Sequence, residues 1–323
     1  MTDQVVRFGI LGAGDAGRRH ARGLRANKGA ALVCAYDTDA ARAAAFVKEF
    51  GGSVEPDLAR FFVRDDVDAI AICTPPADHV KLTLGALASG KHVLVEKPFS
   101  LEVLGIDRVI EASRRAGLKV GAISQHRFAE AATTAAALIR DGELGAIVAA
   151  RISVRRHREP SYYEGSWKGD RAIAGGGTML SLGVHMLDLA CSWLGRPVEA
   201  MALLRPAPAG DVEAAAAGAV RFESGALLSI DVATGLGPTQ ADELEVFGER
   251  DRIALVGDKL TRASGFTMEA KADLHAQQIA SFVASVRGEA ASTVGPEDVR
   301  PAIAAIVALY QSAEQRRAIE IPS

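Results

Sequence analysis

Between an apolar run at residues 5–11 and a helix-compatible stretch at 16–27, the chain reads Gly12, Ala13, Gly14, Asp15, Ala16, Gly17. A G-x-G-x-x-G in that position has few structural solutions. The first glycine permits a tight turn out of a strand, and the second lets the backbone approach an anionic group. The third lets the following helix pack close, with its unpaired N–H groups pointing at the anion. Asp37 stands twenty residues after Gly17, at the end of the next apolar run, and no arginine follows it immediately. A carboxylate there accepts hydrogen bonds from ribose hydroxyls and repels a 2′-phosphate. The expectation is a dinucleotide-binding fold that takes NAD in preference to NADP, held by Gly12, Gly14, Asp15, Ala16, Gly17 and Asp37. The alternative is a glycine-rich turn with no ligand.

The rest of the first half has the matching rhythm. Short β-branched or apolar runs at 31–36, 69–73, 93–95 and 119–123, with a weaker one at 53–54, alternate with stretches of helical length at 40–50, 57–63, 78–89 and 101–116. Strands each followed by a helix make right-handed crossovers and a parallel sheet. After Gln125 the pattern changes to one helical stretch, 130–140, and then to longer runs joined by glycine-containing turns, at 147–156, 198–204, 213–222, 226–233, 244–247 and 253–256. Such turns favour an antiparallel sheet. A helix is expected over 178–194, and two more, 274–286 and 298–316, carry apolar residues at core spacing. The expected class is α/β: an N-terminal Rossmann doubly wound parallel sheet over 1–124, then a C-terminal α+β domain with a large, mostly antiparallel sheet over 125–323. The run 214–220 lacks apolar–polar alternation, so both of its faces are expected to be covered, one by a helix and the other by a second subunit.

Composition narrows the function classes. In 323 residues, 37 basic side chains face 40 acidic ones, which disfavours nucleic acid as a partner. Cys34, Cys73 and Cys191 are far apart and form no CxxC or CxxH pair, so neither a metal nor a disulfide is expected. No segment is apolar for long enough to be a signal peptide or to span a membrane, and a cytoplasmic protein is the expectation.

Two strand ends carry candidate chemistry. Thr74, Pro75 and Pro76 follow the fourth strand at the carboxyl edge of the sheet, with His79 just beyond, and Glu96, Lys97 and Pro98 follow the next strand. Lysine there lies near the expected nicotinamide, or is simply exposed. These segments, with the G-x-G-x-x-G, resemble the glucose-fructose oxidoreductase, inositol dehydrogenase and rhizopine catabolism (Gfo/Idh/MocA) family of NAD(P)-dependent dehydrogenases. The resemblance continues through Gly175, Gly176 and Gly177 to Gly183, His185 and Asp188. An acidic residue often stands four positions before that histidine in the family; here the position is Ser181.

The resemblance implies that Lys97 and His185 do acid–base work in oxidising a secondary alcohol of a sugar, nucleotide sugar or cyclitol. It places Thr74, Pro75, His79, Glu96 and Lys97 at the cofactor, and Lys97, Ser181, His185 and Asp188 at the substrate. Histidine, with an ordinary pKa of about 6.5, suits the base, whereas lysine at about 10.4 suits a cation that orients the hydroxyl and stabilises developing alkoxide. A buried structural role is the other reading of His185.

Arg155, Arg156, His157 and Arg158, followed by Tyr162, Tyr163, Trp167 and Lys168, mix cations that attract anions with rings that cover sugar faces. From these, Arg155, Tyr163, Trp167 and Lys168 are further substrate candidates, and a solvated loop or subunit contact is the alternative. The stretch is similar to the family branch that oxidises nucleotide-linked sugar uronates. Two other activities fit the same resemblance: an NAD-dependent glycosidase using transient oxidation at carbon 3, and a non-catalytic NAD-binding regulator. A homodimer or homotetramer is expected.

Overall fold

The computed structural model describes residues 5–289 and 293–322. The chain alternates strand and helix at first: β1 (Val6–Leu11), α1 (Asp15–Ala26), β2 (Ala30–Tyr36), α2 (Ala40–Phe50), β3 (Ser53–Val54), α3 (Leu58–Phe62), β4 (Ala69–Ile72), α4 (His79–Ala88), β5 (His92–Val95), α5 (Val103–Ala116) and β6 (Val120–Ala122). The six strands are all parallel, in the order β3-β2-β1-β4-β5-β6. Phe8, Ile10, Ile70, Ile72 and Leu94 are fully buried, as a sheet covered on both faces requires, and this is why these strands read as unbroken apolar runs. Strand order reverses between β1 and β4, whose carboxyl ends flank the crevice where such sheets receive ligands.

The second half runs α6 (Glu130–Arg140), β7 (Ile147–Arg156), α7 (Arg171–Ala174), α8 (Val184–Leu194), β8 (Pro197–Pro206), β9 (Glu213–Phe222), β10 (Leu227–Thr234), β11 (Glu243–Gly248), β12 (Arg252–Val256), β13 (Lys259–Arg262) and β14 (Thr267–Glu269). It ends with α9 (Leu274–Val286), α10 (Pro296–Gln315) and β15 (Ile319–Glu320). β7 to β15 form one sheet in the order β14-β13-β12-β11-β7-β10-β9-β8-β15, in which only β7 and β10 pair in parallel. β13, β14 and β15 have no counterpart in the sequence expectation, because runs of four, three and two residues carry too little pattern. The helix expected from residue 178 begins instead with a wide π-type turn, Met179–Gly183, and becomes regular only at α8.

Two compact units result. Of the described residues, those up to Ser100 join Leu104–Gln125 and Asp273–Val299 in the first; Leu101–Val103, His126–Ala272 and those from Arg300 onward make the second. A single cut after Ser124 therefore leaves 273–299 on the other side of the division from where the structure puts it. The reason is packing: Ile279, Phe282 and Val283 of α9 bury in one cluster with Val6, Phe8 and Leu24, and the rings of Phe8 and Phe282 lie 6.1 Å apart.

The second unit's sheet buries one face, through Ile152, Val154, Leu228, Ile230, Val232, Leu244 and Val246. Its other face is open within this chain. Met201 is 52% exposed and Leu203 73%, beside exposed Ala217 and Ala219 on the neighbouring strand. The run 214–220 thus alternates after all, with Ala214, Ala216 and Val220 buried and the alternation hidden in the sequence because alanine fills both faces.

Candidate active site

In the first unit, Gly12 has φ +95°, and a Cβ there would stand 2.5 Å from Cys73 O, so β1 and β4 come together only around a glycine. A Cβ on Gly17 would stand 2.1 Å from Gly12 O, which brings α1 hard against the turn. Gly14 differs: a Cβ there meets nothing within 4 Å, so its backbone faces open space at the start of α1. Asp37 closes the end of β2. Its Oδ2 accepts a hydrogen bond from Ala13 N at 2.8 Å and its Oδ1 one from Asp39 N at 2.9 Å. A residue that the sequence did not single out, Arg42, reaches back from α2 to Asp37 at 3.2 Å and to Asp39 at 3.1 Å. Across the turn, Thr74 Oγ1 is buried without a hydrogen-bond partner. An open glycine at a helix N-terminus, a carboxylate at the second strand end and an orphaned hydroxyl fit a dinucleotide.

Two expected cofactor contacts turn inward instead. Both ring nitrogens of buried His79 lie 2.8 Å from carbonyl oxygens, those of Pro98 and Thr74, so His79 braces the two loops. Glu96 is 5% exposed, with Oε1 3.1 Å from His20 Nε2 and Oε2 accepting from Lys97 N at 3.0 Å. Burial pushes Glu96 upward, but His20, and then Lys97 and His275, hold it at about 2. Lys97 opens the loop after β5 and is half-buried.

In the second unit, the stretch from Gly177 to Cys191 is buried except at Ser181, Leu182 and His185, which are partly exposed. The three preceding glycines make the entry. Gly175 has φ +79°, a Cβ on Gly176 would stand 2.0 Å from Tyr310 Oη, and one on Gly177 would stand 1.8 Å from Glu213 O. The buried Glu213 carboxylate accepts from Gly177 N, Met179 N and Tyr310 Oη at 2.7, 2.8 and 3.0 Å. Sequence reasoning missed Glu213, since only the fold brings it to the glycines.

It also missed the partners of α8. The short turn Gln125–Phe128 places His126 edge-on to His185, with ring centres 5.0 Å apart, and sends Arg127 to Asp188 in a two-pronged pair at 2.7 and 2.6 Å. Asp188, expected at the substrate, is thereby spent on holding that turn. Burial lowers the His126 pKa, with Asp242 and Asp258 pulling the other way.

Of the loop candidates, two change role. Arg155 lies on the open face of the sheet, opposite buried Val154, and pairs with Asp231. Tyr163 is buried, its hydroxyl 2.6 Å from Thr234 Oγ1 and 3.4 Å from Thr178 Oγ1, which anchors the loop. Trp167 remains 42% exposed. Lys168 Nζ lies 4.4 Å from the centre of the Tyr162 ring, with Arg158 at 5.2 Å from the same ring. Among the described residues, no group of three or more His, Cys, Asp or Glu is arranged to hold a metal ion, and no helix is long and apolar enough to cross a membrane.

Comparison with known proteins agrees with this architecture. A family profile described as "Oxidoreductase family, NAD-binding Rossmann fold" matches residues 6–124, and one described as "GFO/IDH/MocA C-terminal domain" matches 132–254. The chain is similar to a 1,5-anhydro-D-fructose reductase of Ensifer adhaerens, 33% identical over 225 residues that cover 68% of this chain and 67% of that protein. It is 26% identical to a myo-inositol 2-dehydrogenase of Thermotoga maritima across 98% of each chain. In fold, it matches the WlbA dehydrogenase of Bordetella pertussis, solved with NADH and UDP-GlcNAcA, at a TM-score of 0.92 with 21% identity, covering 100% of this chain and 99% of that one.

Proposed function

This chain belongs to the GFO/IDH/MocA oxidoreductase family with an NAD-binding Rossmann domain, and on that premise we propose that it transfers hydride between NAD and a secondary alcohol of a sugar, nucleotide sugar or cyclitol. The observation that carries the reading is the cradle around Gly12, Gly14 and Asp37 in a chain that also leaves Ser181 and His185 partly exposed in the otherwise largely buried stretch from Gly177 to Cys191. The α1 amides from Asp15 to Gly17 receive the pyrophosphate, Asp37 the adenosine ribose, and Thr74 and Pro75 line the turn beyond. When bound, NAD supplies the hydride acceptor. His185 takes the hydroxyl proton, for which an imidazole needs little tuning, and Lys97 orients the hydroxyl and steadies developing alkoxide as a cation. Ser181, Trp167 and Lys168 contact the substrate. The chain works in the cytoplasm as a homodimer or homotetramer built on the open face of the second sheet, and nucleic acid is not a partner.

The test is a screen with NAD against free sugars, inositols, uronates and nucleotide sugars, read by NADH absorbance and product mass. Lys97→Ala and His185→Ala should each lower turnover at least about a hundredfold with NAD still bound. Release of an aglycone without net NADH would instead mark a glycosidase, and neither outcome with any substrate would leave a regulator. A variant that keeps near wild-type turnover removes its residue from the mechanism.

A further inference from the structure

Two consecutive residues of the turn Gln125–Phe128 meet two residues one helical turn apart on α8. His126 meets His185, with ring centres 5.0 Å apart and ring planes at 63°. Arg127 meets Asp188, each of whose oxygens accepts from the guanidinium fork, at 2.7 and 2.6 Å. The fork is largely dry, its two side chains 16% and 4% exposed, so it fixes the turn on the helix and with it the approach of one ring to the other. Ser181, four positions before His185, brings no charge to it. A second imidazole stands in ring contact instead.

Two imidazoles this close do not both take a proton easily, because like charges repel, and the more so where water is excluded. The surroundings of His126 decide between them. Burial pushes its pKa down, and Arg156 of β7 adds to this; Asp242 before β11, Asp258 after β12 and Asp188 of α8 pull upward without overcoming burial. Asp242 is itself answered by Arg156, through hydrogen bonds of 3.0 and 2.6 Å. We infer that His126 is a positioning residue for His185: its ring braces the other imidazole, and the pair holds one proton between them, on His185. The inference rests on the proposed reading of His185 as acceptor of the hydroxyl proton. An uncharged neighbour leaves His185 able to take that proton, and a ring packed against it limits the directions in which its acceptor nitrogen points.

Imidazole NMR signals of the whole chain carrying isotope-labelled histidine, followed against pH, test the pairing without a substrate. As the pH falls, the His185 signal should move first and the His126 signal only afterwards. In His185→Phe, which keeps an aromatic ring and loses the charge, His126 should titrate about one to two pH units higher than in the wild type. His126 titrating before His185, or at an unchanged pH in His185→Phe, overturns the inference. Turnover reads the bracing. With a substrate that reduces NAD in the screen above, His126→Ala should lower kcat about tenfold with KM within about threefold, and His126→Phe should recover part of the loss. His185→Ala separates the two claims: turnover that survives it refutes the base, whereas its loss of turnover together with wild-type kcat in His126→Ala refutes the positioning role alone.

Discussion

His20 sits in the middle of α1 with no exposed surface, where a leucine would pack without a polar atom to satisfy. Its Nε2 meets Glu96, and Glu96 in turn accepts the backbone N–H of Lys97, so the imidazole supports the loop that carries the lysine. Burial works against charge on His20, but Cys73 and then Glu96 outweigh it and raise the pKa to about 10 from 6.5. Glu96 moves the other way, to about 2 from 4.5. A group raised on folding stabilises fully below its unfolded value and ceases to as pH climbs through the folded one; a lowered carboxylate stabilises fully above its unfolded value and ceases to as pH falls. The pair therefore contributes most between pH 4.5 and 6.5, fading toward about 10 on one side and about 2 on the other. Melting temperatures of wild type and His20→Leu should accordingly differ most in that window and converge at both ends. A difference independent of pH would show that His20 only fills space. None of this was legible in the sequence, where His20 is one polar residue in a helix, whereas Gly12, Gly17 and Asp37 were legible because backbone geometry leaves few alternatives at each.

At the scale of elements, the two glycine runs do different things. Gly175, Gly176 and Gly177 make room for protein: a methyl on Gly177 would collide with Glu213 O at 1.8 Å, and that backbone cannot move without releasing the carboxylate that caps the turn before α8. Gly14 has open space instead, since nothing lies within 4 Å of its Cβ position, and this suits the proposed approach of a pyrophosphate. Gly177→Ala should cost at least about 2 kcal/mol in urea unfolding, whereas Gly14→Ala should stay within about 0.5 kcal/mol of wild type and lose NAD affinity. Equal stability losses in the two variants would remove the distinction. The elements themselves were readable where they were long. Alternation was lost in β9, because alanine on both faces leaves no pattern, and the helix boundary at residue 178 was displaced by a π-type turn whose first amides are held by Glu213, 36 residues from Gly177.

For the molecule as a whole, the open face of the second sheet exposes the apolar side chains of Met201, Leu203 and Leu227. Exposed apolar side chains on one sheet face suit the subunit interface proposed above, and such a face meeting its own copy gives a closed assembly. Leu203→Asp, at a side chain 73% exposed in the single chain, should leave folding intact and reduce the mass seen by light scattering to one chain. An unchanged mass would move the interface elsewhere.

The sequence by itself determined the parallel sheet with its glycine-rich turn and the change to an antiparallel sheet after Gln125, because each rests on local period or backbone freedom, while the short motifs that resemble a family singled out Lys97 and His185 as candidates. Tertiary structure decided the rest. It returned α9 to the first unit, placed Arg42 on Asp37 and His126 on His185, and gave Tyr163, Asp188 and Arg155 to structural partners. Burial and pairing are properties of neighbours in space, and those neighbours lie from five to more than seventy positions apart along the chain.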